Sequence, residues 1–196
     1  MKSVESIRKS IMTERIRMSQ VRKAFGAGLD KPPNPSQAQH FYPACCEYLE
    51  SALVRLHDQD QRIIELLTPL IPDTAPEDQE ILTQFQSSLD ASRVALERLM
   101  AALADYRASD GSGQDSFEKE ARAFLEVFFN ILGARRHTSS HLEEQHFSRD
   151  AWAYVADASE TSKQREQQLF AAVKAAAPEG ADPDLFTAGP PPNPGG

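Results

Sequence analysis

The chain has little of the chemistry that marks many proteins at first reading. Its 196 residues contain two cysteines and one tryptophan. Cys45 and Cys46 are sequence neighbours. They cannot build a disulfide framework, so a reduced, cytoplasmic setting is expected. No stretch approaches the roughly 20 apolar residues of a membrane span, and no short apolar run follows a basic start as in a secretory leader. There is no phosphate-binding glycine loop, no nucleophile elbow and no CxxC pair. Positive charge is in deficit: Lys+Arg 21 against Asp+Glu 29 gives −8, with a pI near 5.1. That balance excludes a general nucleic-acid binder. An alternating strand pattern is missing throughout.

What the chain does have is helical periodicity. In the first long stretch, Cys46, Leu49, Leu53, Leu56, Asp60, Ile63, Leu67 and Leu70 recur at spacings of three and four, the stripe of a bundle helix. Pro43 suits its first turn, and Pro69 and Pro72 end it. Thr74 and Glu77 have capping-box spacing around Pro76 and open a second helix, whose stripe runs Leu82, Phe85, Leu89, Ser92, Leu96, Leu99, Leu103 and Tyr106. After Ser109–Gly113, a third helix carries Phe117, Ala121, Phe124, Phe128 and Ile131 and is expected to reach about Phe147. Ser148 caps a fourth, bearing Trp152, Val155, Leu169, Phe170 and Val173 around a polar middle.

These four patterns predict an all-α chain: an antiparallel up-down four-helix bundle over residues 36–177. Ahead of it, residues 1–25 form an extra basic amphipathic helix with Ile7, Ile11, Met18 and Val21 on one side. They carry +5 and leave −13 for the rest. This helix either docks on the acidic body or serves as an arm for an acidic protein partner, a membrane surface or a second copy. Residues 26–35 (GAGLDKPPNP) read as a linker, and residues 178–196, ending PPPNPGG, as a disordered tail.

Chemistry-bearing residues gather in one place. Arg135, Arg136, His137, His141, Glu143, Glu144 and His146 lie within twelve residues. On a helix His137 and His141 project from one face, and Glu144 extends it. Imidazole and carboxylate at such spacing can grip one transition-metal ion. His57 and Asp60 on the first helix supply matching donors. Asp60 falls on the apolar stripe itself, where a carboxylate must be paired, hydrogen-bonded or metal-bound. In an up-down bundle the first and third helices run parallel, and counting back from their ends sets His57 level with His137 and Asp60 near His141. The competing reading is an ion pair from Asp60 to Arg135 or His137. Neither cysteine lies in a basic stretch, so both read as buried, inert thiols.

At these residues the chain resembles the hemerythrin-like (HHE cation-binding) bundles. Leu56-His57-Asp58-Gln59-Asp60-Gln61-Arg62-Ile63-Ile64 is similar to the family's opening helix, and His137, His141, Glu143, Glu144 and Phe147, followed by Asp150-Ala151-Trp152, to its closing signature. The likeness covers roughly residues 41–158. It implies a metal centre, with iron or zinc as the ion and oxygen or redox sensing as the role. The family's dinuclear site takes five histidines and two carboxylates from four helices, whereas the second and fourth helices here hold no histidine. A reduced or mononuclear site of His57, Asp60, His137, His141 and Glu144 is what the resemblance leaves. The alternative is a non-catalytic scaffold or interaction module.

Overall fold

A computed structural model describes residues 4–135, 139–157 and 159–186. Among the described residues the fold is all-helical, without strands. Seven α-helices follow in order: α1 (Val4–Asp30), α2 (Pro35–Leu67), α3 (Pro76–Ala108), α4 (Gln114–Arg135), α5 (Ser140–His146), α6 (Arg149–Val155) and α7 (Glu160–Ala176). Short 3₁₀ turns lie at Thr68–Leu70 and Pro183–Phe186.

Helix α2 is the axis of the molecule. It begins two turns earlier than its apolar stripe predicts, because Asn34 caps it by accepting from the Gln37 backbone N–H at 3.0 Å and Pro35 occupies its first position. Pro43 therefore lies inside the helix, not in its first turn. Side-chain contacts fix the neighbours' directions. Gln39 bonds to Asp110, Arg107 to Glu47, and His57 to Ser92, so α3 runs antiparallel to α2. Tyr48 packs on Phe170 while Arg55 pairs with Glu166, so α7 is antiparallel as well. Phe25 meets Tyr42 and Glu14 meets Arg55, which sets α1 antiparallel on another side. Helix α4 packs on α3 and α1.

Several expectations change here. The 26–35 linker contracts to Lys31–Asn34, because α1 continues through Gly26 and Gly28 to Asp30. Gly28 is needed there for close approach: a Cβ would sit 2.4 Å from the Phe41 ring. Of the two placements expected for the N-terminal helix the structure has the docked one: Val21, Phe25 and Leu29 are fully buried in the main core, and Ala24 is buried beside them. The start of the disordered tail is folded, because Ala181 and Pro183 bury themselves and the 3₁₀ turn after them rests on α1; residues 187–196 lie outside the described residues. Finally, the third and fourth predicted helices each divide. Helix α4 ends at Arg135, and Ser159 provides a second cap, accepting from Ser162 N at 3.1 Å, that starts α7 separately from α6. Thr74 does not cap α3; Ala75 precedes its Pro76 without a side-chain bond.

The main core lies at one end. Phe25, Phe41, Tyr42, Tyr106 and Phe117 interlock with ring centroids 5.2–6.3 Å apart. Each such ring contributes roughly 1.5–3 kcal/mol by leaving water. Cys45 and Cys46 sit in this core, and burial pushes both thiols up, as expected of inert cysteines. At the edge of this core Arg22 lays its guanidinium 4.2 Å from the centre of the Phe129 ring. A second, smaller apolar cluster at the other end unites Ile63, Leu67, Leu82, Phe85, Leu89, Leu142 and Val155. Ile7, Ile11 and Trp152 form a third.

Candidate functional site

Between the two larger clusters α2 turns polar. The main core extends down to Leu56 on α2 and Ala95 on α3, and the second cluster resumes at Ile63 and Leu89. His57, Gln59, Asp60 and Ser92 fill the interval, all buried, with His57 4% and Asp60 2% exposed. The register of α2 forces this. Leu49, Leu53, Leu56, Asp60, Ile63 and Leu67 keep the three/four spacing, so Asp60 points inward with the leucines around it. His57, one turn earlier, reaches α3 and places Nε2 2.8 Å from Ser92 Oγ. Gln59 faces the α1 side, beside Ile11, Glu14 and Met18. Buried polar groups of this kind are costly unless each finds a partner.

The structure divides the predicted metal ligands. His57 and Asp60 come together inside. His141 and Glu144 are exposed on α5, and His141 Nε2 lies 3.7 Å from Asp78 Oδ1 in the first turn of α3. Asp78 and Ser92 are fourteen residues apart on that helix. Roughly 21 Å of axis at ~1.5 Å per residue therefore separates the anchor points of the two histidines. One ion, with ligands about 2 Å away, does not bridge that span. The expected common height assumed an unbroken third helix, and α4 stops before it. His137 lies outside the described residues. Among the described residues no three His, Cys, Asp or Glu side chains converge as a metal-binding group. The described donors thus fit half of a ligand set at most, His57 with Asp60.

Sequence reasoning undervalued Ser92, which sits in the apolar stripe of α3 between Leu89 and Leu96; a hydroxyl at a leucine position was the available signal. It also missed a second polar centre. Arg55 donates Nε to Glu166 at 2.5 Å, Nη2 to the same carboxylate at 2.9 Å, and Nη1 to Glu14 at 2.7 Å. One guanidinium so ties α1, α2 and α7. Burial opposes its charge, but the bonds to Glu166 and the field of Glu14 outweigh that and raise its pKa. Beside it, α2 and α7 diverge around an open cleft of about 510 Å³, lined by Glu50, Val54, Asp58, Asp157, Ser159 and Arg165 among others.

The class defined by these features is an all-α protein with a polar layer buried across its helices. Compared with known proteins, the chain matches no family model, no curated protein and no solved structure. Its described helices include none long and apolar enough to cross a membrane.

Proposed function

We propose that this chain is a divergent hemerythrin-like helical protein in which the buried polar layer holds a single transition-metal ion. The observation that carries the reading is the placement of an imidazole and a carboxylate one turn apart, both inside, between two apolar clusters. His57 and Asp60 are the anchoring donors, and His137 is the third. His141 and Glu144, which the sequence groups with them, stay outside the set because His141 neighbours Asp78 at another level. Iron or zinc suits such nitrogen and oxygen donors. A redox-active ion would supply one-electron chemistry, which suits oxygen or redox sensing. The protein's own residues hold the ion, exclude water and keep the site dry with Leu56 and Ile63 above and below. Antiparallel contacts of α1 with α2, α2 with α3, and α1 with α4 support an up-down four-helix arrangement with α1 as one corner. Free Cys45 and Cys46 fit a reduced cytoplasmic setting.

Elemental analysis of the purified full chain tests this. About one metal per chain is expected, lost in His57→Ala, Asp60→Asn and His137→Ala and kept in His141→Ala. Metal well below one per chain, or indifferent to all four substitutions, overturns it. A second reading, a helical interaction module, is favoured by exposed charges such as Lys9, Lys23, Glu50 and Asp58, which make no ion pair among the described residues.

A further inference from the structure

We infer that the cleft between α2 and α7 binds a free basic α-amino acid of the lysine type, independently of any metal in the polar layer.

The cleft has a volume of about 510 Å³, within the range of small-molecule sites. Its walls carry unpaired charge of both signs. Glu50 and Asp58 project from α2, Asp157 stands on the rim, and Arg165 stands on the α7 wall, all four exposed. None of the four makes an ion pair among the described residues. The other charges of the lining are already engaged: Glu47 holds Arg107, and Arg55 holds Glu14 and Glu166. Three carboxylates thus remain against one guanidinium, a surplus of two negative charges.

Helix register sets their order along the cleft. Glu50 and Asp58 lie one turn to either side of Val54, roughly 6 Å each way at ~1.5 Å per residue. Val54, 50% exposed, is the apolar floor between them. Arg55 is bonded to Glu166 and α7 runs antiparallel to α2. Arg165 therefore stands at a height between Val54 and Asp58, and Ser162, one turn before Glu166, is nearly level with Asp58. Arg62, one turn past Asp58, holds the Asp157 carbonyl at 2.9 Å, which puts Asp157 at the same end.

One end of the cleft offers two carboxylates, a hydroxyl and a guanidinium, and the other offers the carboxylate of Glu50 alone. A matching ligand has an ammonium and a carboxylate at its head, an apolar stem and a second cation at its tail. In a free basic amino acid the α-ammonium meets Asp58 and Asp157, and the α-carboxylate accepts from Arg165 and Ser162. The methylenes cross Val54 and the terminal ammonium donates to Glu50. An extended lysine spans about 7 Å between its two nitrogens at ~1.5 Å per bond. Two charge-assisted contacts of about 2.8 Å extend that to the ~12 Å between Glu50 and Asp58. A plain diamine brings nothing for Arg165 to hold, and a neutral zwitterion leaves Glu50 unmatched. Complementarity of this kind selects the ligand and is weakened by salt.

Chemical-shift titration of the full chain with L-lysine tests the assignment, with cadaverine (no carboxylate) and norleucine (no terminal ammonium) as comparators. Lysine is expected to bind with a Kd on the order of 0.1–1 mM, as suits about ten non-hydrogen atoms in an open cleft, and each comparator at least about tenfold more weakly. Arg165→Gln should weaken lysine about tenfold and leave cadaverine unchanged, whereas Glu50→Gln should weaken both and leave norleucine unchanged. Both positions are exposed, and circular dichroism checks that each variant keeps the parent's helix content. Should one not fold, the three ligands on the wild type still decide. No saturable shift at the cleft up to about 10 mM lysine overturns the proposal, as does lysine affinity indifferent to both substitutions. Cadaverine binding as tightly as lysine overturns it in favour of a diamine, and norleucine binding as tightly overturns it in favour of an apolar zwitterion.

Discussion

The two ends of α2 meet very different surroundings. Around Phe41 and Tyr42 it is enclosed by rings from α1, α3 and α4, and the polar atoms among them are few and placed. Tyr42 donates its hydroxyl to Glu118 at 2.7 Å, and Gln114 donates to the same carboxylate at 2.8 Å. From His57 onward the same helix carries an imidazole and a carboxylate inward, and α3 shares its cover with short helices, α5 and α6 of seven residues each. The first end is built for stability. The second gives up apolar contact for a buried polar layer, the kind of local departure from packing rules that functional sites often show. The difference teaches where to look for function here: not where packing is densest but where it is interrupted.

Substitutions can sharpen or break that contrast. The largest loss is expected at the aromatic end. Phe117→Ala should cost roughly 3–5 kcal/mol in denaturant unfolding, because the ring touches Phe25, Tyr42 and Tyr106 and leaves a cavity. Arg55→Ala should follow at about 3 kcal/mol, since it strands two poorly exposed carboxylates, while Arg55→Met should recover much of the loss. At the other end Leu142→Ala, on a helix of one or two turns, should cost about 2–3 kcal/mol, and proteolysis near residues 136–148 should report it first.

Alkaline titration probes the main core. Burial raises Tyr42 and Tyr48 above their ordinary 10.0, with Glu118 adding to Tyr42 and Glu166 to Tyr48. The folded chain therefore keeps protons that the unfolded chain releases. Stability is full below about pH 9 and falls as pH rises past 10, by up to ~1.4 kcal/mol per unit for each group. Thermal melts across pH 8–11 check it, and Tyr48→Phe should flatten the decline. The smallest effect is reserved for the polar layer. His57→Leu with Ser92→Ala removes both partners of a buried bond and should leave stability within ~1 kcal/mol of the parent, on either side. A loss as large as that of Phe117→Ala would mean the layer holds the fold together.

Much of this was legible in the amino-acid order. The stripes from Leu49 to Leu67 and from Leu82 to Tyr106 name the buried residues of α2 and α3, because a single period settles which face goes inward. Asp60 was readable for the same reason: a charge in a leucine position has nowhere else to point. The start of α2 was less visible, since Asn34 and Pro35 stand inside a proline-rich run that reads equally as linker. Register between helices was not readable. The spacing of His137 and His141 implies a shared face only if the third helix continues, and Ser139 lies outside any helix while His137 falls outside the described residues. Nor does local pattern foretell that Arg55, next in sequence to the exposed Val54, gathers carboxylates from residues 41 and 111 positions away.

The last turn of the described chain touches the first helix. Ala181 enters the same core as Val21 and Phe25, and Lys174 is bonded to Asp184 as the backbone folds back. About 150 residues of synthesis lie between α1 and the clasp. The apolar side of α1 waits through that interval for this part of its cover, sheltered meanwhile by α2 and then α4. Closure of this kind makes the packing of the helix depend on a segment far along the chain.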